Sequence, residues 1–205
     1  MTPIRVGLWI DPGCPWAWQT AVWLRELAAH GRVELDWRIF SLELNALPPE
    51  TPFWEACQRD GEALVALALA RREGGNPAFE RLYESIGSRL HVEKQEPSPD
   101  VVRAGAEDAG MPGIVDRAVA VSDLTEEITQ ESVDARARSV FGVPTLQIGE
   151  AKVLYGPIMA LAPRGDEADR MWEHTRWLAE RDDFFELKRW PRDIRPGQTA
   201  PRTEA

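Results

Sequence analysis

Apolar residues fill Ile4, Val6, Leu8, Trp9 and Ile10, a run of the length expected for a buried strand. Asp11-Pro12-Gly13 breaks it. Ala17, Ala21, Leu24, Leu27 and Ala28 then recur at helical spacing, with Gly31 as the stop. Val33, Leu35, Trp37 and Ile39 alternate with Glu34, Asp36 and Arg38, the period of a second strand. Strand, helix and strand in this order predict a βαβ unit with parallel strands and a right-handed crossover.

The pattern then changes. Thr51-Pro52, Asn76-Pro77 and Ser98-Pro99 each place a capping residue before a proline suited to the first helical position. Phe79, Leu82, Tyr83, Ile86 and Leu90 form the clearest helical face that follows, and Gly74-Gly75 and Gly110 supply stops. Residues 50–121 therefore read as an all-helical insertion of three or four short helices. A further helix is expected over 123–140. Strands over 144–148 and 151–155 are joined by Gly149-Glu150, which fits a type II′ hairpin turn and makes the pair antiparallel. A last helix over 166–181 carries Ala168, Met171, Trp172, Thr175 and Leu178. The whole order is that of an α/β thioredoxin-like fold with an all-helical insertion. Its discontinuous thioredoxin-like domain is expected at 1–49 and 122–190, the insertion at 50–121, and a disordered tail at 191–205.

Composition narrows the possible functions. The chain has 205 residues and a formal net charge of −10, with acids spread throughout and no basic block. A phosphate backbone would be repelled, so no nucleic-acid partner is expected. The longest apolar run, 63–70, is far short of the ~20 residues a membrane-spanning helix needs. The first residues carry no secretory pattern, and two cysteines make no disulfide framework. A reducing cytoplasm suits both. His30, His91 and His174 are scattered, so no metal is expected. His91 reads most simply as a helix-end cap. Most of the nine Trp read as core aromatics.

The chemistry concentrates at Cys14, in Asp11-Pro12-Gly13-Cys14-Pro15-Trp16-Ala17. A cysteine between a strand end and a helix start meets unpaired backbone N–H groups and the positive end of the helix dipole. Both favour thiolate, so a lowered pKa is expected; the alternative is a buried structural cysteine. Pro15 costs the helix little at its first position. Downstream, Phe141-Gly142-Val143-Pro144-Thr145 opens the third strand. If the bond before Pro144 is cis, Val143 turns its backbone toward Cys14 and can pair with an extended thiol peptide as a strand would. Cys57 reads as a bystander thiol.

Cys14-Pro15-Trp16 followed far downstream by Gly142-Val143-Pro144-Thr145, with helices between, resembles the DsbA-like branch of the thioredoxin superfamily. The sequence is more similar still to the mycothiol-dependent nitroreductase family. The shared runs include Phe40-Ser41-Leu42 through Asn45, Leu82-Tyr83, Gly87 to His91, Gly156-Pro157, and Phe184-Phe185-Glu186-Leu187-Lys188-Arg189. The resemblance implies thiol-driven reduction with no bound cofactor, using mycothiol or glutathione as cosubstrate. It also implies a pocket between the thioredoxin part and the helices. Cys14 would be the nucleophile, Val143 and Pro144 the contact for the thiol, and Pro15, Trp16 and Asn45 pocket residues. The partners would be a small thiol and a small-molecule or disulfide substrate, with the chain a monomer or homodimer. The family pattern has a second cysteine where this chain has Ala17, so Cys14 cannot close a disulfide one turn away. Three readings follow: a monothiol oxidoreductase, a transferase or isomerase of the kappa-class type that holds the thiol as cosubstrate, and a non-catalytic binding relative.

Overall fold

The structure, a computed structural model, describes residues 2–48, 50–151, 153–189 and 194–198. Four strands form one sheet in the order β2-β1-β3-β4. β1 (Ile4–Ile10) lies parallel to β2 (Val33–Ile39), with Ile4 opposite Val33 and Ile10 opposite Ile39. β3 (Thr145–Ile148) runs antiparallel to β1, and β4 (Val153–Tyr155) antiparallel to β3. α1 (Pro15–Ala29) makes the crossover between the parallel pair. Burial follows position in the sheet: β1, paired on both sides, is buried from Val6 onward, whereas β2 at the edge alternates.

Seven helices complete the chain among the described residues. After β2 come α2 (Leu42–Asn45), α3 (Phe53–Ala56), α4 (Gly61–Gly87), α5 (Pro99–Asp108) and α6 (Ile114–Ala120), then α7 (Asp123–Ala137) and, after the hairpin, α8 (Asp166–Ala179). A single π-helical turn, Ser88–Val92, extends the end of α4. The 27-residue range of α4 is two helices joined at a kink, because Gly75 adopts φ 66° and ψ −164° and Pro77 opens the second half. The break falls where the sequence placed its glycine stop and proline start. Ser98 caps α5 by accepting from Val101 N–H at 3.3 Å. α7 ends at Ala137, short of the expected 140, where Ser139 turns to φ 68°. The hairpin turn closes with Ala151 N–H donating to Ile148 O at 3.0 Å, Gly149 supplying φ 55°. Of the expected tail, residues 194–198 are described, and Gly197 N–H donates to Ala160 O at 2.5 Å; the other tail residues lie outside the described residues.

One apolar core runs without interruption from the sheet into the helices that follow β2. Trp37 on β2 stacks on Phe79 of α4, ring centres 5.7 Å apart. Arg38, next along the strand and on the opposite face, lies over Trp9 at 4.4 Å. Trp23 of α1 donates its indole N–H to Ala168 O at 3.1 Å, joining α1 to α8. At the other end of α1, the Trp18 ring lies against Gly87 so closely that a Cβ there would enter it. Both partners are buried, and the Trp18 ring is also packed by Tyr83 and His91, so a shift to make room would disturb those contacts. Gly87→Ala is expected to destabilise the protein by about 1–3 kcal/mol through overpacking, more than the ~1 kcal/mol that alanine returns in helix propensity. A denaturant midpoint lowered at unchanged m-value is the expected result; an equal or higher midpoint would show that Trp18 is not held there.

Candidate active site

Cys14 is the residue that caps the start of α1. Its φ and ψ, −87° and 109°, are extended, its side chain makes no capping bond, and Pro15 follows at the first helical position. Its carbonyl accepts the first helical bond from Trp18 N–H, at 3.1 Å, and its own N–H donates to Asp11 O at 3.0 Å. The side chain is 6% exposed. Its sulfur lies 3.9 Å from the carbonyl oxygen of Val143, and the Val143–Pro144 bond is cis. Residues 129 positions apart in sequence thus meet at the Cys14 sulfur.

The expectation of a lowered Cys14 pKa is overturned. Burial pushes the thiol up, and the backbone N–H groups of Ala17 and Trp16 offset only part of that. The charges of Asp11 and Asp60 push it further in the same direction. The helix N-terminus acts as anticipated, but its effect is smaller than that of desolvation.

Asp11 is the site's second anchor. Its carboxylate accepts from Gly13 N–H at 2.8 Å and from Leu42 N–H at 2.6 Å, binding the Cys14 loop to the start of α2. Asp60, the residue before α4, does not cap that helix. Its carboxyl hydrogen-bonds Asp11 instead and fits against Gly13, where a Cβ would stand 2.6 Å from an Asp60 oxygen. Both acids are buried. Burial first, and the Asp60 charge second, push Asp11 up to about 7, while its two backbone bonds pull the other way and Glu43 adds a weaker push. Asp60 is raised too, by its burial and then by Glu43, with Arg59 opposing.

His91 does not serve as a simple helix-end cap. Its Nε2 lies 2.8 Å from Pro12 O in the Cys14 loop, and because a carbonyl only accepts, Nε2 carries the proton. Burial lowers its pKa, so it is the neutral imidazole that holds the loop. Its ring lies 5.7 Å from that of Trp18. Cys57 is buried and free, 3.3 Å from the Ser41 hydroxyl, and burial pushes it up to about 11. A cavity of about 990 Å³ flanks α1, lined by Trp18, Arg25, Glu84, Ser88, His91 and Lys94 among others. It adjoins the Cys14 loop through Trp18 and His91, and Cys14 is not part of its wall.

The structure brings Val143 and Pro144 to Cys14. Pro15 and Trp16 lie half-buried beside it at the start of α1, Trp16 packed against the core. Among the described residues Asn45 has no hydrogen bond to Cys14. It stands at the end of α2, donating from Nδ2 to Ser41 O at 2.7 Å, with its Oδ1 buried and without a hydrogen bond among the described residues. Sequence reasoning took Asp11 for a strand breaker and gave Asp60 no role. Only the placement of Asp11 three residues before Cys14 signalled its importance. No group of three or more His, Cys, Asp or Glu that could hold a metal occurs among the described residues, nor any helix long and apolar enough to cross a membrane.

A thiol at the start of the first helix, faced by the carbonyl before a cis-proline, on a four-stranded sheet with helices inserted after β2, defines a DsbA-like thioredoxin-fold protein. Solved structures share this fold. A probable DsbA oxidoreductase from Streptomyces coelicolor is 18% identical, with 90% of this chain and 94% of that one covered and a TM-score of 0.58. A 2-hydroxychromene-2-carboxylate isomerase is 15% identical, with 85% and 94% covered and a TM-score of 0.59. Over residues 13–189 the sequence matches the Rv2466c-like family, described as mycothiol-dependent nitroreductase Rv2466c, and the chain belongs to it. The uncharacterized protein Rv2286c of Mycobacterium tuberculosis is 31% identical over 191 residues, 90% of this chain and 81% of that protein.

The buried acids make stability depend on pH. Asp11 binds its proton more tightly folded than unfolded, so its contribution is full below about pH 4 and is lost as pH rises through about 7. Thermal midpoints of the wild type are expected to fall between pH 5 and 7.5, and Asp60→Asn, which removes the neighbouring charge, to make that fall shallower. Parallel curves for the two proteins would contradict this assignment.

Proposed function

We propose that the protein is a thiol-dependent oxidoreductase that works through Cys14 by a monothiol cycle, with mycothiol as the small thiol. The observation that carries this reading is the pairing of Cys14 Sγ with Val143 O at the helix start, while Ala17 stands one turn on. Membership of a mycothiol-dependent family supports the choice of thiol, and a cytoplasmic setting suits it. In the cycle, the Cys14 thiolate attacks one sulfur of a disulfide RS–SR. The S–S bond breaks, RS⁻ leaves and takes up a proton, and Cys14–S–S–R forms. A second thiolate R′S⁻ then attacks, giving R–S–S–R′ and restoring Cys14–S⁻. A second round on R–S–S–R′ with another R′SH gives R′–S–S–R′ and a second RSH. Over two rounds, two R′SH are thus oxidised to one disulfide and RS–SR is reduced to two thiols. For a quinone-like acceptor Q the balance is 2 R′SH + Q → R′–S–S–R′ + QH₂, and for a nitro group 2 R′SH + Ar–NO₂ → R′–S–S–R′ + Ar–NO + H₂O.

The burial of Cys14 determines which sulfur is attacked in the second step. Leaving-group acidity alone would favour attack on the Cys14 sulfur, because a thiol with a raised pKa leaves poorly. That sulfur is buried, so the ligand sulfur is the one within reach, and attack there frees the enzyme. The Val143 backbone would hold the extended thiol, with Pro144 fixing that segment and Pro15, Trp16 and Asn45 bounding the pocket. The raised thiol pKa also favours a second reading, in which Cys14 stays protonated and donates to a bound thiolate that attacks an electrophile.

Incubation with oxidised mycothiol, and separately with oxidised glutathione, followed by intact mass, tests the proposal. One adduct on Cys14 that excess thiol releases is expected, with mycothiol preferred, and Cys14→Ser should form none and lose at least about a hundredfold in reductase rate. Turnover of an electrophile without thiol oxidation, retained in Cys14→Ser, would establish the second reading. No adduct and no turnover would leave a binding protein.

A further inference from the structure

The cavity of about 990 Å³ along α1 is walled on its far side by the end of α4, the π-helical turn and the end of α5. Most carboxylates on its wall are neutralised. Glu26 is paired with Arg164, Glu84 with Arg25 and Asp108 with Arg89. Glu93 accepts from Gln95 Nε2 at 2.8 Å. Two cations of the wall, Arg81 and Lys94, form no ion pair among the described residues. In a chain of net charge −10, cations left over on the wall of one cavity point to an anionic ligand.

The donors converge at one place. Gln19, on α1, is 7% exposed. Ala162 N–H donates to its Oε1 at 2.9 Å, which fixes the orientation of the amide, since only the oxygen accepts. Its Nε2 makes no hydrogen bond among the described residues. Lys94 stands in the left-handed region at φ 60°, and its Nζ donates to His91 O at 2.5 Å. That bond uses one of three ammonium hydrogens. The two nitrogens meet beside Gly197, which lines the same cavity. A Cβ at Gly197 would stand 3.6 Å from Lys94 Nζ and 3.9 Å from Gln19 Nε2, and among the described residues no other atom beyond its chain neighbours lies within 4 Å of that point. The glycine therefore leaves a space between an ammonium and an amide donor, with no carboxylate beside it. Trp18, Val22 and Leu161 continue the wall with apolar surface, and Leu161 is 49% exposed.

We propose that this cavity binds an amphipathic organic anion, its carboxylate or phosphate held between Lys94 Nζ and Gln19 Nε2 and its apolar body against Trp18, Val22 and Leu161. A few placed donors beside apolar walls are the composition of a small-molecule site, and a charged acceptor makes the strongest use of an ammonium. Cys14 is not in the wall, so the site stands whether or not the thiol cycle does.

The test is an NMR titration of the full chain with 1-naphthoate, 1-naphthyl phosphate and the neutral 1-naphthamide. Saturable shifts of the Gln19 side-chain amide and of the Lys94 backbone amide are expected with the anions, with a Kd of about 1 mM or below for molecules of this size. The tighter anion names the head group, and 1-naphthamide should bind at least about fivefold more weakly. Lys94 is exposed, so Lys94→Gln keeps the fold and is expected to weaken the anions about five- to tenfold. Gln19→Glu keeps an oxygen for Ala162 N–H, replaces the donor by an acceptor, and should remove anion binding. Added salt should weaken it as well. Absence of saturable shifts, shifts confined to another surface, equal binding of the amide, or unchanged anion binding in Lys94→Gln would each overturn the proposal.

Discussion

The Asp11 carboxylate joins the elements that make the site. It accepts from Gly13 in the Cys14 loop and from Leu42 at the start of α2, while its carbonyl accepts from Cys14 N–H. One buried side chain therefore sets where β1 ends, how α1 begins and where the chain turns after β2. Asp60 arrives from the head of α4, against a glycine with no side chain to obstruct it. His91 closes the other side through Pro12. The Cys14 loop is thus held from three directions by residues that are far apart in sequence. The arrangement costs stability at neutral pH, because two buried acids stand together.

The same enclosure decides the chemistry of Cys14. A helix N-terminus favours a nearby negative charge by at most ~2 kcal/mol, while taking a charge out of water costs several kcal/mol. With two carboxylates close by, the balance goes to the thiol. That result is compatible with the monothiol cycle proposed above, in which Ala17 stands where a resolving cysteine would be. Position at a helix start is therefore not by itself an argument for a strongly acidic thiol here, since burial acts the other way. Once Cys14 ionises, the Trp16 and Ala17 N–H groups are the donors that favour its thiolate.

Much of this was legible in the chain. The alternation in β2, the helical spacing after Cys14 and the Ser98-Pro99 start are local signals, and the local backbone obeys them. The approach of Val143 to Cys14 could be read because the fold class carries it. The sign of the Cys14 pKa could not, because it depends on burial by residues up to 129 positions away. Asp60 was hidden for the same reason. The kink at Gly75 is again a local signal obeyed: a glycine stop and a proline start divide α4 into two helices.

The measurement that tests the monothiol account most directly is the fate of the mixed disulfide between Cys14 and mycothiol when glutathione is added, followed by intact mass at early times. If burial shields the Cys14 sulfur, the adduct mass should fall straight to that of the free protein while the mycothiol–glutathione disulfide appears in solution. A transient protein–glutathione adduct, with free mycothiol released, would show that the Cys14 sulfur is attacked, and would contradict the account.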